Sequence, residues 1–388
     1  MRIAIIGGGV YGTAIAYFVQ ELDGSHDVQL FEKDTIAAAS TGKSAGIVRH
    51  HYSHDIQIRF AKRGREILEQ FPERIGQEAG FYQNGYLIMA GEENEEQFRH
   101  NVSLQQNIGL DVDLLEPSEL SEYVPGIDSD GITVAAIEHE AGFADPYLVA
   151  TGFANAAREL GAQIHTRTPV TDIETADDGV TAVRTEEDRY PVDLVVNAAG
   201  PWAAEVAEMV DISIPMSRYE AKVVTLSASE DYTPEYPTAS DIDLGLYAKP
   251  ETGGDFISGG MERNGGHESI AGQSALEGVT NANLETLSEL FEERLPSYAD
   301  ASVVNSWSEL ITAPPDWHQL IGIPSGIDDF YIAAGGSGHG FKEAPGFAEA
   351  IAESIVGEKP SNDLSRYHPG RFDSGDVFVG GYGDGSRS

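Results

Sequence analysis

The sequence predicts an α/β protein in which a Rossmann-like domain is interleaved with a mixed α+β domain. Three observations predict this fold. A strand, a glycine turn and a helix open the chain, two further glycine-rich strand–helix junctions occur near residues 200 and 336, and strand-rich sequence lies between them. The chain has 388 residues, 41% of them hydrophobic, which suits two domains better than one compact core.

The charge of the chain is strongly acidic. Sixty-four acidic residues and 24 basic residues give a net charge of −40. Because the acids are scattered through periodic sequence, we expect a folded protein with an acidic surface, similar to the proteins of salt-loving organisms. The same field argues against nucleic acid or anionic lipid as partners.

The composition also excludes several kinds of chemistry. The chain contains no cysteine, so no disulfide, thiolate nucleophile or cysteine-linked cofactor is available. No set of His, Asp and Glu residues has metal-ligand spacing, and we expect no metal. The opening strand has no signal pattern, and no apolar run approaches the ~20 residues that span a bilayer. We therefore expect a cytoplasmic protein without membrane insertion.

The first βαβ unit carries the strongest local pattern. Residues 2–6 form a strand, helical periodicity follows from Val10 to about Leu22, and DVQLFEK forms a second strand. Between them Gly7, Gly9 and Gly12 make a G-x-G-x-x-G motif. These glycines allow the tight turn, the approach of a pyrophosphate and close helix–strand packing.

Glu32, at the end of the second strand, is placed to accept hydrogen bonds from a ribose. This fingerprint alone does not distinguish NAD from FAD.

The rest of the chain alternates between helical and strand-rich stretches. Asp145 and Pro146 predict the start of a helix that ends at Leu160, because Asp caps a helix and Pro suits its first turn. A small strand meander then leads back into a parallel strand. Further predicted elements are helices at 55–72, 92–109 and about 282–294, a strand at 81–90, strands through 206–319, and a final strand–glycine loop–helix unit from residue 329.

Four segments resemble the D-amino-acid oxidase-like flavoprotein family, which includes glycine oxidase, sarcosine oxidase and D-amino-acid dehydrogenases. They are the N-terminal fingerprint, STGKSAGIVR at 40–49, LVVNAAGPWA at 194–203 and AAGGSGHGFKEAPG at 333–346. The resemblance implies a glutathione-reductase-type FAD domain at 1–80, 135–205 and 320–365. It implies a substrate domain at 81–134 and 206–319, with helices on one side of its sheet. We expect residues 366–388 to be a loosely ordered tail.

The resemblance also implies which residues hold FAD. A flavin ring is long and must be held at its far end, where the GSGHGFK segment runs past it and a helix N-terminus favours negative charge on the reduced ring. The implied contacts are Gly7, Gly9, Val10, Tyr11, Gly12, Glu32, Lys33, Ser40, Thr41, Ser44, Ala45, Gly46, Val170, Ala199, Gly200, Trp202, Gly336, Gly338, His339, Gly340, Phe341 and Lys342.

Two cations are the candidate substrate ligands. IVRHHY at 47–52 resembles a run of the monomeric sarcosine oxidases, which implies that Arg49 holds the substrate carboxylate and that Lys342 shares this task. A structural ion pair is the other interpretation of Arg49. His50 and His51 either tune charge and orient the substrate or are ordinary core residues.

Other side chains are weaker candidates for the substrate pocket. Tyr52, Tyr219 and Tyr247 are either walls of the pocket or core residues. Arg218 and Arg263 are reserve ligands for a carboxylate.

Three positions depart from the family pattern. Glu309 stands where sarcosine oxidases attach FAD through cysteine, and Lys43 stands where dimethylglycine dehydrogenase-like members have histidine. Both departures favour non-covalent FAD. Ser258 stands near the lysine that promotes reaction with oxygen, so the electron acceptor stays open between oxygen, a quinone and another flavoprotein.

Three functions remain open from the sequence. The first is oxidation of a small amino acid or N-methyl amino acid by hydride transfer from the α-carbon to flavin N5. The second is a 2-hydroxy-acid or polyol-phosphate dehydrogenase on the same fold. The third is a flavin-holding subunit of a larger complex, and a partner subunit or a homo-oligomer is compatible with any of them.

Overall fold

The computed structural model describes residues 1–177, 179–228, 232–261 and 269–379. Helix α1 has the bounds that the sequence predicts, and Asp145 caps α6 by accepting hydrogen bonds from the amides of Tyr147 and Leu148. The helices in chain order are α1 Val10–Leu22, α2 Asp55–Glu69, α3 Phe71–Ile75, α4 Glu95–Asn107, α5 Leu120–Tyr123, α6 Pro146–Glu159, α7 Ala203–Glu208, α8 Asn281–Arg294, α9 Gly340–Ile355 and α10 Arg371–Ser374.

The strands supply a large sheet to each half of the molecule. In chain order they are β1 Arg2–Ile6, β2 Asp27–Phe31, β3 Ile47–Val48, β4 Tyr86–Ala90, β5 Val112–Leu115, β6 Val134–Glu138, β7 Gly142–Phe143, β8 Gln163–His165, β9 Val170–Ala176, β10 Gly179–Thr185, β11 Arg189–Pro191, β12 Leu194–Asn197, β13 Ser217–Ser227, β14 Thr238–Asp241, β15 Leu246–Pro250, β16 Phe256–Gly259, β17 Ser302–Ala313, β18 Leu320–Gly322 and β19 Phe330–Ala334.

The first large sheet has the order β18-β19-β12-β1-β2-β8 and is parallel except for β18. Helices α1, α6 and α9 pack on one face, while α7 and the antiparallel meander β9–β11 pack on the other. The meander returns the chain to β12, which pairs in parallel with β1. The predicted Rossmann-like arrangement is therefore confirmed.

The second large sheet has the order β17-β13-β16-β15-β14-β4-β6-β5 and is mixed, because β14 and β4 are parallel. Strand β6 belongs to this sheet, so the predicted boundary at residue 135 is wrong by one strand. Helix α8 packs on one face of the sheet and α4 on the other, which corrects the expectation of helices on one side only. Both errors arise because sheet partners are chosen by long-range pairing that periodicity does not encode.

Helix α9 crosses α2 at a glycine contact that fixes how close the two helices lie. A Cβ atom on Gly64 would lie 1.9 Å from the carbonyl oxygen of Lys342, and one on Gly346 would lie 2.7 Å from that of Phe60. Close to this crossing the rings of Phe60 and Phe347 stack at 3.8 Å. The backbone of Lys342 is therefore held against α2.

The described part of the C-terminal segment packs against the rest of the molecule, although the sequence predicts a loosely ordered tail over 366–388. Arg371 forms a buried ion pair with Asp316 at 2.8 Å, and the Phe378 ring stacks on His318 at 3.8 Å. Tyr367 is fully buried. These contacts supply the apolar and ionic stabilisation that a polar, glycine-rich composition did not reveal. Residues 380–388 lie outside the described residues.

Across the described ranges, no helix is both long enough and apolar enough to span a bilayer.

Candidate active site

A cavity of about 1510 Å³ lies between the glycine turns of the first sheet and strands of the second. It exceeds the 300–1,000 Å³ common for small-ligand pockets. The site residues predicted from the sequence that line it are Gly7, Gly9, Val10, Tyr11, Glu32, Lys33, Ser40, Thr41, Ser44, Ala45, Gly46, Arg49, His51, Val170, Ala199, Gly200, Trp202, Tyr247, Gly336, Gly338, His339, Gly340, Phe341 and Lys342. Gly12 and His50 do not line it.

The first glycine turn is shaped by two close backbone approaches. Gly7 has φ +115°, and a Cβ atom there would lie 2.3 Å from the carbonyl oxygen of Ala198 at the end of β12. A Cβ atom on Gly12 would lie 1.9 Å from the carbonyl oxygen of Gly7. Gly12 therefore packs helix against strand, as predicted, without facing the cavity itself.

Polar contacts fix the loop in front of α1. Glu32 accepts a hydrogen bond from the Gly8 amide at 2.7 Å and lies beside the turn. Thr41 Oγ1 accepts one from the Val10 amide at 3.1 Å, so the small residues 40–46 fold back on the helix N-terminus. The amide of Gly9 has no partner in the described part of the chain, and a Cβ atom there would meet only Thr41 Oγ1, at 3.0 Å. A phosphate fits this open backbone position.

The glycine loop before α9 reaches the same cavity from the other end of the chain. A Cβ atom on Gly340 would lie 3.4 Å from Tyr11 Cε2, so the N-terminal turns of α1 and α9 are in contact. Burial lowers the pKa of His339, which keeps its imidazole neutral. Its Nδ1 is buried without a hydrogen-bond partner among the described residues, and the Tyr11 hydroxyl is buried beside Gln319. Two open helix N-termini and these polar atoms fit a long dinucleotide cofactor with a polar ring.

Trp202 forms part of another wall of the cavity. The Lys33 ammonium lies 3.0 Å from the Trp202 ring centroid, a cation–π contact that joins the end of β2 to the turn after β12. Val170 and Ala199 line the cavity as well. These residues fit the adenosine half of the cofactor that the sequence predicts.

Arg49 and Lys342 are brought together in the cavity. Neither forms a salt bridge within 4.0 Å with any carboxylate that the structure describes. Arg49 donates to the backbone oxygen of His51 at 2.5 Å and lies 4.6 Å from the Tyr52 ring. Burial and the charge of Arg49 lower the pKa of Lys342. Two buried cations without an ion-pair partner favour an anionic ligand.

The two neighbouring histidines have different surroundings. His50 is buried against Glu138, whose Oε2 lies 2.7 Å from the His50 amide and 3.0 Å from Nδ1, so His50 stands behind the site rather than in it. His51 lines the cavity, and its Nδ1 lies 3.1 Å from Gln105 Oε1. Burial lowers the pKa of His51 to about 4, which leaves a neutral imidazole.

Among the weaker candidates for the substrate pocket, some line the cavity and others do not. Tyr247 lines the cavity, whereas Tyr52 is fully buried below Arg49 and Tyr219 stacks on Trp317 at 5.0 Å. Arg218 contacts Glu205 and the Pro201 carbonyl oxygen and does not line the cavity. Arg263 lies outside the described residues.

The three positions that depart from the family pattern also differ in whether they line the cavity. Glu309 and Lys43 line the cavity. Ser258 does not, and its hydroxyl donates to the Tyr247 carbonyl oxygen at 2.7 Å.

Three functional candidates were missed from the sequence. Lys222 and Tyr86 line the cavity from β13 and β4, and Glu343 is buried directly after Lys342. The rarity of basic residues was a usable signal for Lys222. Tyr86 and Glu343 carried none, because strand tyrosines and helix glutamates are common.

A Rossmann-like sheet, two glycine turns that meet at one cavity and a second sheet across it define a dinucleotide-dependent oxidoreductase of the flavoprotein type. The model of the DAO family, described as FAD dependent oxidoreductase, matches residues 2–354. The chain belongs to this family of FAD-dependent oxidoreductases, and FAD is its cofactor.

Curated and solved relatives agree with this assignment. Mitochondrial dimethylglycine dehydrogenase of Rattus norvegicus is 26% identical over 388 residues, covering 95% of this chain but 44% of that protein. The chain thus spans less than half the length of this relative. L-proline dehydrogenase from P. horikoshii superposes with TM-score 0.88 at 28% identity, covering 97% of this chain and 99% of that one. Glycine oxidase from Geobacillus kaustophilus has TM-score 0.81 at 23% identity, covering 98% and 100%, and supports the fold.

Proposed function

We propose that this chain oxidises a small amino acid or N-methyl amino acid, with FAD held non-covalently. When bound, FAD accepts the hydride that leaves the α-carbon of the substrate. The observation that carries the proposal is the meeting of Arg49 and Lys342 in the cavity that both glycine turns line. The names of the similar proteins, which act on dimethylglycine, L-proline and glycine, support the same class of substrate.

The two cations bind and orient the carboxylate. Arg49 offers a planar fork of donors and Lys342 offers a point charge, so together they fix both oxygens of one carboxylate. Fixing the carboxylate at one end orients the α-carbon for reaction. A polyol phosphate would call for a richer basic cluster than these residues provide.

The amine side of the substrate meets neutral walls. His51 is neutral because burial lowers its pKa to about 4, and Tyr86 and Tyr247 line the same cavity. These groups add no positive charge that would repel an ammonium. This arrangement favours an amino acid over a 2-hydroxy acid, although both share the carboxylate.

We propose that the electrons pass to an acceptor other than oxygen. Ser258 is turned away from the cavity and Glu309 lines it, so neither position supplies a cation to the ring. Lys222 lines the cavity but lies 4.0 Å from Glu220, which offsets its charge. These contacts support a dehydrogenase that serves a quinone, another flavoprotein or a partner subunit.

An anaerobic substrate panel tests the proposed function. FAD-loaded protein is mixed with glycine, sarcosine, dimethylglycine, L- and D-proline and matching 2-hydroxy acids, and the oxidised flavin band is followed. We expect rapid bleaching with at least one amino acid. Bleaching by hydroxy acids alone would favour the second function, and no bleaching at all would favour a flavin-holding subunit.

A further inference from the structure

Glu343 is a fully buried carboxyl on α9, one residue after Lys342. Gln57 of α2 donates to its Oε1 at 3.0 Å, and Gln319, directly before β18, donates to its Oε2. Two separate parts of the chain thus supply an amide to one carboxyl. Burying a carboxyl away from water costs free energy. A carboxyl buried beside the candidate substrate site therefore calls for a functional reason.

The chamber around Glu343 suits both protonation states of the carboxyl. The donating amides satisfy an ionised carboxylate. The same chamber holds buried oxygens that have no partner in the described part of the chain and can accept a hydrogen bond from a protonated carboxyl. They are Gln57 Oε1, Gln319 Oε1 and the hydroxyl of Tyr367. The chamber can therefore hold Glu343 with or without its proton.

The charges of Glu343 and Lys342 depend on each other. Burial raises the pKa of Glu343, and Lys342 opposes that rise. Burial lowers the pKa of Lys342, Arg49 lowers it further, and Glu343 and Glu138 raise it.

The other titratable groups that interact with this pair are few. They are His339 on the loop before α9, and Tyr11, Tyr52 and Tyr367 around the chamber. Burial keeps His339 and these tyrosines neutral. Arg49, Glu138 and Glu343 are therefore the charges that decide whether Lys342 is protonated.

We propose that Glu343 is a positioning residue that acts through Lys342: its negative charge keeps the Lys342 ammonium protonated, and thereby sets how strongly the site holds a carboxylate. The proposal rests on the proposed function, in which Lys342 binds the substrate carboxylate. It adds that the strength of this binding is controlled by the next residue of α9, which does not line the cavity.

Acetate binding to the FAD-loaded protein tests this role. Acetate carries the carboxylate but cannot donate a hydride, and its binding is followed through the flavin absorbance and by calorimetry at several pH values. Lys342 is cationic below its pKa, so the affinity for acetate should fall as the pH rises through that value. Without Glu343 the pKa of Lys342 is lower. In E343Q the fall should therefore move down by about one pH unit, which is about tenfold weaker binding on the alkaline side.

Matched variants separate charge from structure. E349Q makes the same change at another buried glutamate of α9, which pairs with Arg63 and Arg74 and does not act on Lys342. We expect it to leave the pH dependence unchanged. E343D keeps the carboxyl and should lie between wild type and E343Q, which supplies a second test if E343Q folds poorly.

K342M separates the two proposals. If K342M binds acetate like the wild-type protein, the proposed role of Lys342 in binding the substrate carboxylate is overturned. If K342M loses the pH-dependent binding but E343Q and E343D follow the wild-type curve, the role of Glu343 alone is overturned.

Discussion

At the scale of single residues, the site depends on two cations in a chain that has few. Most other basic side chains near the core are paired: Arg63 and Arg74 with Glu349, Arg371 with Asp316. Arg49 and Lys342 form no such pair with the described carboxylates, and they repel each other. Repulsion between two buried cations destabilises the fold, and such an arrangement is expected where a bound anionic ligand neutralises their charge.

Replacing Arg49 tests this interpretation. Arg49→Ala should weaken binding of the amino-acid substrate by about 10- to 150-fold, because a charge-assisted hydrogen bond contributes about 1.5–3 kcal/mol. FAD affinity should change far less. Arg49→Lys should recover only part of the loss, since a point charge does not replace the planar fork. Substrate and FAD titrations of the same variants give both quantities, and equal losses in the two would contradict the assigned role.

Motif spacing and family resemblance predicted most of the site. The resemblance of IVRHHY and GHGFK to the family pointed to Arg49 and Lys342, and Gly7, Gly9 and Gly12 stood out by spacing. Glu343 was not predictable, because a glutamate in a helix of an acidic protein is ordinary until its burial is seen. His50 was placed in the site for its neighbourhood in sequence, but in the segment after β3 it faces Glu138, while Arg49 and His51 on either side of it line the cavity.

At the scale of elements, the contact between α2 and α9 positions Lys342. The crossing depends on Gly64 and Gly346, which let the backbones approach too closely for any side chain between them. Because α9 also begins at the cavity, the same contact sets where its first turn presents Lys342. Stability and substrate binding are therefore linked through one pair of helices.

Gly64→Ala should separate these helices. The added methyl group would lie 1.9 Å from the Lys342 carbonyl oxygen, so the variant should lose about 2–3 kcal/mol of stability and bind substrate more weakly. Thermal unfolding and substrate titration measure the two effects. Gly24→Ala is the control, since its methyl group would meet the nearest atom at an ordinary 3.6 Å. Identical melting temperatures for the two variants would argue against a tight crossing.

Helices with clear caps and periodicity were predictable, and strand partners were not. Helix α1 and helix α6 agree with prediction within one or two residues, because their start signals are local. Strand β6 was assigned to the wrong sheet, and the short strand β14 gave no pattern of its own. Strand register and the choice of strand partner depend on residues far apart in sequence. Local sequence patterns therefore do not specify them.

At the scale of the whole molecule, charge and architecture act separately. The family fold accounts for the cavity, whereas the net charge of −40 is a property of the whole sequence. Exposed acids without basic partners repel one another and oppose compaction unless salt screens them. We propose that the protein is adapted to concentrated salt.

Thermal unfolding at rising KCl concentration tests this adaptation. Raising KCl from about 0.1 M to 2 M should increase the melting temperature by several degrees, because the Debye length shortens from about 10 Å to below about 3 Å. Sucrose at equal osmolality controls for general effects of cosolutes, since it does not screen charge. If the melting temperature stays constant or falls in KCl, self-repulsion is not a significant term.

The central claim is that one FAD spans both glycine turns, with its phosphates at Gly9 and its ring at the start of α9. The FAD affinity of Gly9→Val and Gly340→Val tests this claim directly. A Cβ atom at either position would lie at least 3.0 Å from the nearest neighbouring atom, so the fold should survive. We predict that both variants stay folded by circular dichroism and that each binds FAD at least about 100-fold more weakly, a loss of about 2.7 kcal/mol. Wild-type FAD affinity in Gly340→Val, with loss in Gly9→Val alone, would show that the cofactor does not reach α9.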